Sequence, residues 1–212
     1  MKSFTLSTIP GTLEWMNTPL DWKIEPAGSL TPAGSLTPAG SLTIIAGPET
    51  DWFIDPSGVI LKSDAPVAVF TPPDEDYTLS ARVRVEFASA YDAGSLQVRV
   101  SPDLWAKLCF EASPQIPTVV SVVTRGVSDD CNSVLIAGDV VYLRLSRTAP
   151  AFAFHYSLDG ISWHFVRHFT LGKLENYQIG FSSQSPFGKQ CKVNFSELKY
   201  RLGGVRDIRS GE

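Results

Sequence analysis

Charge is scarce in this sequence. Only 19% of the 212 residues are Asp, Glu, Lys or Arg, and 18 basic against 22 acidic side chains leave a formal net charge of −4 with no basic block. Such a chain has nothing with which to neutralise a phosphate backbone, so nucleic acid is not expected as a partner. No apolar run approaches the ~18 residues of a membrane-spanning helix, and a membrane partner is not expected either. The first ten residues, Met1 to Pro10, lack the apolar stretch and small-residue cleavage site of a secretory leader. Cysteine is sparse too. Cys109, Cys131 and Cys191 form an odd, widely spaced set with no Cys-x-x-Cys pair and no histidine at metal-ligand spacing. They read as free thiols, which suits the cytoplasm and gives no reason to expect a metal or cofactor.

What the sequence does have is apolar and turn-forming residues: 43% hydrophobic, 11% aromatic, 16 Gly and 15 Pro. That is too apolar for a disordered chain and too rich in turns for a helical one. Alternation of period two, bounded by Gly, Pro, Asn and Asp, predicts strands over residues 77–87, 94–101, 105–111, 118–124, 140–148, 151–157, 161–170, 177–183 and 189–200. Shorter strands are expected at 22–25, 42–46, 60–62 and 67–70. With no linker between them, these strands imply one all-β sandwich or jelly-roll domain over residues 1–202. Residues 203–212 carry two glycines and no buried pattern, and are expected to fray.

The hexapeptide Pro26-Ala27-Gly28-Ser29-Leu30-Thr31 recurs unchanged at 32–37 and 38–43. The tract would complete one coil of a β-helix and stack it on nothing, so a solenoid is not expected. Because the extra twelve residues are an even number, they keep the next strand's faces in phase, and two copies are expected to loop out of the sheet.

Sorting the strand faces assigns Val83, Val85, Leu96, Val98, Leu108 and Phe110 to the core. Arg84, Glu86, Arg99, Trp105, Lys107 and Glu111 fall on the opposite face. If these strands are neighbours, those six side chains share one polar surface with an indole on it, joined by Arg144 and His155. Sugar recognition uses such groups, because hydroxyls take paired hydrogen bonds and the ring face stacks on indole. An ordinary wet sheet face with cross-strand ion pairs accounts for the same pattern.

Catalysis has less to rest on. A glycosidase needs two carboxylates flanking the bond, and the one-strand Glu-x-Asp-x-Glu arrangement of sandwich glucanases is absent. Glu86 and Glu111 are the only candidates, and the cations beside them favour ion pairing over proton donation. Asp51, Asp92, Asp129 and Asp130 stand at strand ends, where Asx turns account for single aspartates without invoking a cation. Ser157-Leu158-Asp159-Gly160 reads as a hairpin turn with Trp163 packed over it.

Tyr91-Asp92-Ala93-Gly94, Trp105 to Glu111, Ser121-Val122-Val123-Thr124, Ser128-Asp129-Asp130, Leu143-Arg144 and the Ser157–Gly160 turn, in this order, resemble a family of uncharacterised domains. That family has a concanavalin A-like fold and includes a fungal protein named for regulation of enolase. Thr50 to Phe53, Trp15 and Trp22 are similar to it too, so the likeness spans residues 13–200. It implies a jelly roll whose concave sheet can hold an extended ligand, and it brings no settled activity. Asp130 stands where many relatives carry Trp.

The reading that joins residues and resemblance is a cytoplasmic, non-catalytic domain that binds a carbohydrate or sugar metabolite. Its expected contacts are Asp51, Trp52, Asp92, Arg99, Trp105, Lys107, Glu111, Thr124, Asp129 and Arg144, with Trp105 stacking, Lys107 donating and Glu111 accepting. The alternatives are a protein-interaction module that regulates a metabolic enzyme, and a glycan hydrolase using Glu86 and Glu111.

Overall fold

The computed structural model describes residues 3–28, 40–172, 174 and 176–212. Strands follow one another along the chain as β1 (Ser3–Phe4), β2 (Leu13–Met16), β3 (Asp21–Glu25), β4 (Ser41–Ala46), β5 (Trp52–Ile54), β6 (Leu61–Ser63), β7 (Val67–Phe70), β8 (Tyr77–Glu86) and β9 (Ala93–Ser101). They continue as β10 (Leu104–Ala112), β11 (Pro117–Arg125), β12 (Val127–Leu135), β13 (Val140–Thr148), β14 (Ala151–Ser157), β15 (His164–Phe169), β16 (Gln178–Gln184) and β17 (Cys191–Leu202). One sheet has eight strands in the order β1-β2-β7-β16-β9-β10-β11-β12, and the second has seven in the order β15-β14-β13-β8-β17-β4-β3. The short β5–β6 ribbon belongs to neither. Among the described residues no helix is long and apolar enough to cross a membrane.

Period-two patterning produces this sandwich. On β8, Tyr77, Leu79, Ala81, Val83 and Val85 are buried, and they meet Leu96, Val98, Leu108 and Phe110 of the facing sheet in one apolar layer. Burying each such side chain contributes roughly 1.5–3 kcal/mol, which is what holds the sheets together. Gly94 sits at a point of close approach: a Cβ there would lie 2.5 Å from Val193 and 2.9 Å from Val83.

Four expectations need revision. First, β8 and β9 are consecutive but not neighbours. The chain changes sheets between them, and β8 pairs with β13 and β17. Arg84, Glu86, Arg144 and His155 therefore lie on the outer face of the seven-stranded sheet, and Arg99, Trp105, Lys107 and Glu111 on that of the other. Second, Val127–Leu135 is a full edge strand despite its polar sequence, because Gly126 turns it back onto β11. Third, the segment after residue 202 is docked rather than frayed: Val205 and Gly211 are buried, and Arg144 Nη2 donates to the Gly211 carbonyl at 2.6 Å. Fourth, sequential alternation did not reveal β1, β2 and β5, which are too short to show a period. Of the repeated hexapeptides, residues 29–39 lie outside the described residues. The flanking strands pair across the tract, Glu25 opposite Ser41.

Candidate functional site

Trp105, Lys107, Cys109 and Glu111 alternate along β10 on the outer face of the eight-stranded sheet. The register places Lys107 between Gln97 and Val122, Trp105 between Arg99 and Thr124, and Glu111 between Ala93 and Thr118. The β5–β6 ribbon folds over part of this face. Trp52 lies edge-on to Trp105 with ring centroids 5.9 Å apart, and its Nε1 donates to the Ala65 carbonyl at 2.8 Å. The Arg99 guanidinium stands 5.5 Å from the Trp52 ring. The Ile54 amide donates to Ser128 Oγ at 3.0 Å, and that hydroxyl also bonds Thr124 Oγ1 at 2.9 Å. Trp52, Arg99, Trp105 and Thr124 thus anchor the ribbon. The stacking role expected of Trp105 is corrected here, because its indole is 1% exposed and already covered by Trp52.

Beside the ribbon the same face opens into a cavity of about 460 Å³. Lys107, Glu111, Val120 and Val122 form its floor, Phe53, Ile60 and Lys62 enter from the ribbon, and Tyr91, Gln184, Pro186 and Phe187 come from loops and β16. Glu49, Asp51, Ser113 and Asp130 complete the lining. Its size and its mixture of apolar wall and few polar groups are those of a small-ligand site.

Lys107 is buried, and its ammonium donates to Asp51 Oδ1 at 3.1 Å and to Gln184 Oε1 at 2.7 Å. Burial works against the charge, but Asp51 and the neighbouring acids outweigh it and hold the pKa above the ordinary lysine value. Glu111 is only 7% exposed and makes no ion pair among the described residues. Burial raises its carboxyl to about 7, the nearby Asp51 and Asp130 charges push the same way, and Lys107 and the Ser113 hydroxyl pull against them. The floor therefore holds a fixed cation beside an acid that changes charge near neutrality. Tyr91 and Phe187 form a tilted ring pair with centroids 5.7 Å apart, and Phe187 is 72% exposed.

Of the expected contacts, Asp51, Lys107 and Glu111 meet in this cavity. Asp92 does not: its buried carboxylate accepts the Ala88 and Ser89 amides at 3.0 and 2.8 Å and the Ser185 hydroxyl at 2.8 Å, shaping the β8–β9 loop. Asp129 points to the other side of its strand and pairs with Arg167 at 2.8 Å, tying the edge strands of the two sheets. Arg144 lies on the opposite outer face, 4.2 Å from the Trp163 ring under the C-terminal segment. Glu86 is exposed there too, paired with Lys192 at 2.7 Å. Glu86 and Glu111 consequently belong to different sheets and do not flank a common substrate.

The aromatic mouth was not among the expected contacts, nor were Phe53, Asp130 and Gln184. Asp130 had a usable signal: a hairpin through Gly126 puts it opposite Val122, in the same row as Lys107. Tyr91 and Phe187 lie in loops, where no periodicity aims a side chain.

The family profile described as "Protein of unknown function (DUF1349)" matches residues 15–202. "Regulation of enolase protein 1" of Saccharomyces cerevisiae is 28% identical over 123 residues, 57% of this chain and 62% of that protein. The chain thus spans about three-fifths of this curated relative. A functionally unknown protein from Saccharomyces cerevisiae superposes with a TM-score of 0.76 at 22% identity, covering 90% of this chain and 96% of that one. The GH43 BlXynB protein from Bacillus licheniformis gives 0.61 at 13% identity over 77% of this chain and 33% of its own. The alginate lyase from Klebsiella pneumoniae gives 0.50 at 12% identity over 84% and 85%. At these identities the solved structures share the fold alone.

Proposed function

The chain belongs to the DUF1349 family of proteins of unknown function, and within that frame we propose that it is a non-catalytic carbohydrate-binding domain of the cytoplasm. One observation carries the reading: a cavity of about 460 Å³ on a sheet face whose floor sets Lys107 and Glu111 beside Val120 and Val122 and whose mouth is aromatic. A sugar ring presents an apolar face and a polar edge. The Tyr91–Phe187 pair offers a surface for the first, and Lys107, Glu111 and Asp51 offer donors and acceptors for the second. The glycan-related names of two structural neighbours are consistent with this use of the fold.

The test is a glycan array followed by thermal-shift titration, in which the expected result is a sugar-dependent rise in melting temperature. Phe187→Ala, at an exposed position, should weaken the response at least about tenfold, the scale of a lost ring contact. No sugar moving the melting point, or an unaltered response in Phe187→Ala, would sink the reading.

A second reading has its own observation. The ribbon turn exposes Val59, Ile60 and Leu61, and Ile60 also lines the cavity, so an apolar edge adjoins the site. A module that docks on a metabolic enzyme such as enolase would use that edge, in keeping with the name of the yeast relative. Calorimetry with purified enolase, repeated with Val59→Ser and Leu61→Ser together, separates it from the first.

A further inference from the structure

The charges facing the cavity do not balance. Lys107 is committed to Asp51 at 3.1 Å, and Lys62 to Asp64 at 3.7 Å and to the Glu49 carbonyl at 2.8 Å. With those pairs set aside, the lining charges left without an ion-pair partner among the described residues are Glu49, Glu111 and Asp130, all acidic. Glu111 is the informative one. It is 93% buried, it lines the cavity floor, and the hydroxyl beside it, Ser113, donates to Asn132 Oδ1 at 3.3 Å.

We infer that the cavity takes an ammonium-bearing ligand, an amino sugar in preference to a neutral one, held between the Tyr91–Phe187 rings and the carboxyls of Glu111 and Asp130. The inference rests on the carbohydrate reading and narrows it. An ammonium brings three donors and a full charge to acids that have no ion-pair partner among the described residues, and hydrogen bonds of that kind are about twice as strong as neutral ones. Aromatic faces at the mouth add attraction for the same cation. A neutral hydroxyl supplies a donor without a charge and favours the buried carboxylate less. Lys107 and Lys62 oppose the incoming charge, but each already has its own carboxylate.

A linkage follows. Burial sets the Glu111 carboxyl at about 7, and an ammonium beside it favours the carboxylate. Binding therefore expels a proton from Glu111 to the buffer, and affinity falls as the pH is lowered below about 7.

The test is isothermal titration at pH 6.5 with glucosamine, N-acetylglucosamine, glucose and spermidine. Glucosamine should bind at least about tenfold more tightly than glucose or its N-acetyl form, the factor set by one charge-assisted contact. Its enthalpy should vary with the ionisation heat of the buffer, reporting proton release. Glu111→Gln and exposed Asp130→Asn should each weaken glucosamine by a larger factor than glucose, so that the ratio between the two sugars falls. Equal binding of the three sugars would overturn the inference and leave the carbohydrate reading standing. Spermidine binding alone would uphold recognition of an ammonium and remove the sugar. If none of the four binds, the inference falls, and the glycan array judges the carbohydrate reading by itself.

Discussion

Trp52 stands edge-on to Trp105, ring centroids 5.9 Å apart at 79°, and this contact divides the outer face of the eight-stranded sheet into a sealed half and an open one. The sealed half is a small second core that includes Trp52, Ala65, Val67, Val69, Trp105 and Cys109. The open half is the cavity. Trp52→Ala should leave a void under the ribbon and cost about 3–5 kcal/mol. Denaturant unfolding measures the loss, and acrylamide should then reach Trp105 in the folded variant. A loss below about 1 kcal/mol would mean that the ribbon is held by something other than this ring pair.

Glu111 gives stability a pH dependence whose sign can be worked out. Its carboxyl titrates at about 7 when folded against an ordinary value of 4.5. Between those limits the folded state binds more protons than the unfolded one, so stability falls as pH rises through this window and then levels off. The drop attributable to this group is on the order of 3 kcal/mol. Glu111→Gln should remove it, matching the parent protein near pH 4.5 and exceeding it at pH 8. Urea titrations at the two pH values decide; an unchanged difference between them in the variant would contradict the assignment.

The sequence displays the sandwich well because each long strand carries its own two-faced pattern. β8 shows five inward residues, and β10 separates Ala106, Leu108 and Phe110 from Trp105, Lys107 and Glu111. Sheet membership is a different matter. It depends on where the chain crosses over, and nothing in the alternation of Tyr77–Glu86 and Ala93–Ser101 says that they part company at the Asp92 loop. For that reason alternation alone sets Lys107 and Glu111 beside Glu86 and Arg144, which the crossover carries to the other sheet. β12 was hidden for another reason: an edge strand with Asp129, Asp130 and Asn132 is polar on both faces and looks like a loop. Alternation shows that Trp105 points outward, not that the Trp52 ribbon folds on top of it.

The C-terminal segment is fastened at a glycine where any side chain would be strained. Gly211 has φ +77°, and a Cβ there would lie 2.6 Å from Arg144 Nη2 and 2.8 Å from Trp163 Cβ. His155 adds a 2.8 Å hydrogen bond between its Nε2 and the Ile208 carbonyl. Burial, the largest cause, and neighbouring Arg144 lower the His155 pKa to about 4, so the ring is neutral at pH 7 and donates from Nε2. Gly211→Ala should undock residues 206–212 at a cost of about 1–2 kcal/mol. Trypsin cleavage after Arg206 and Arg209 should accelerate while the rest of the domain stays intact. Unchanged protection at both bonds would show that the segment is held elsewhere.

The tandem repeat offers a deletion with a definite expectation. Glu25 pairs with Ser41, so the connection between β3 and β4 runs from residue 26 to residue 40. Gly28 at φ +81° and Gly40 at φ +73° flank the undescribed residues 29–39, and a Cβ on Gly40 would lie 2.7 Å from the Glu25 carbonyl oxygen. Removing residues 32–43 restores the same strand sequence, Ser-Leu-Thr-Ile-Ile, directly after one Pro-Ala-Gly. Pro, then a small residue, then a left-handed Gly is the sequence of a three-residue hairpin loop with a bulge. Shortening the loop in this way lowers its closure entropy by about 1 kcal/mol on the logarithmic scale. The shortened protein is expected to melt at the parent temperature or slightly above it and to keep its sugar response, since the β3–β4 edge lies in the sheet away from the cavity. A fall of more than a few degrees would mean that the extra copies pack on the domain and contribute to its stability.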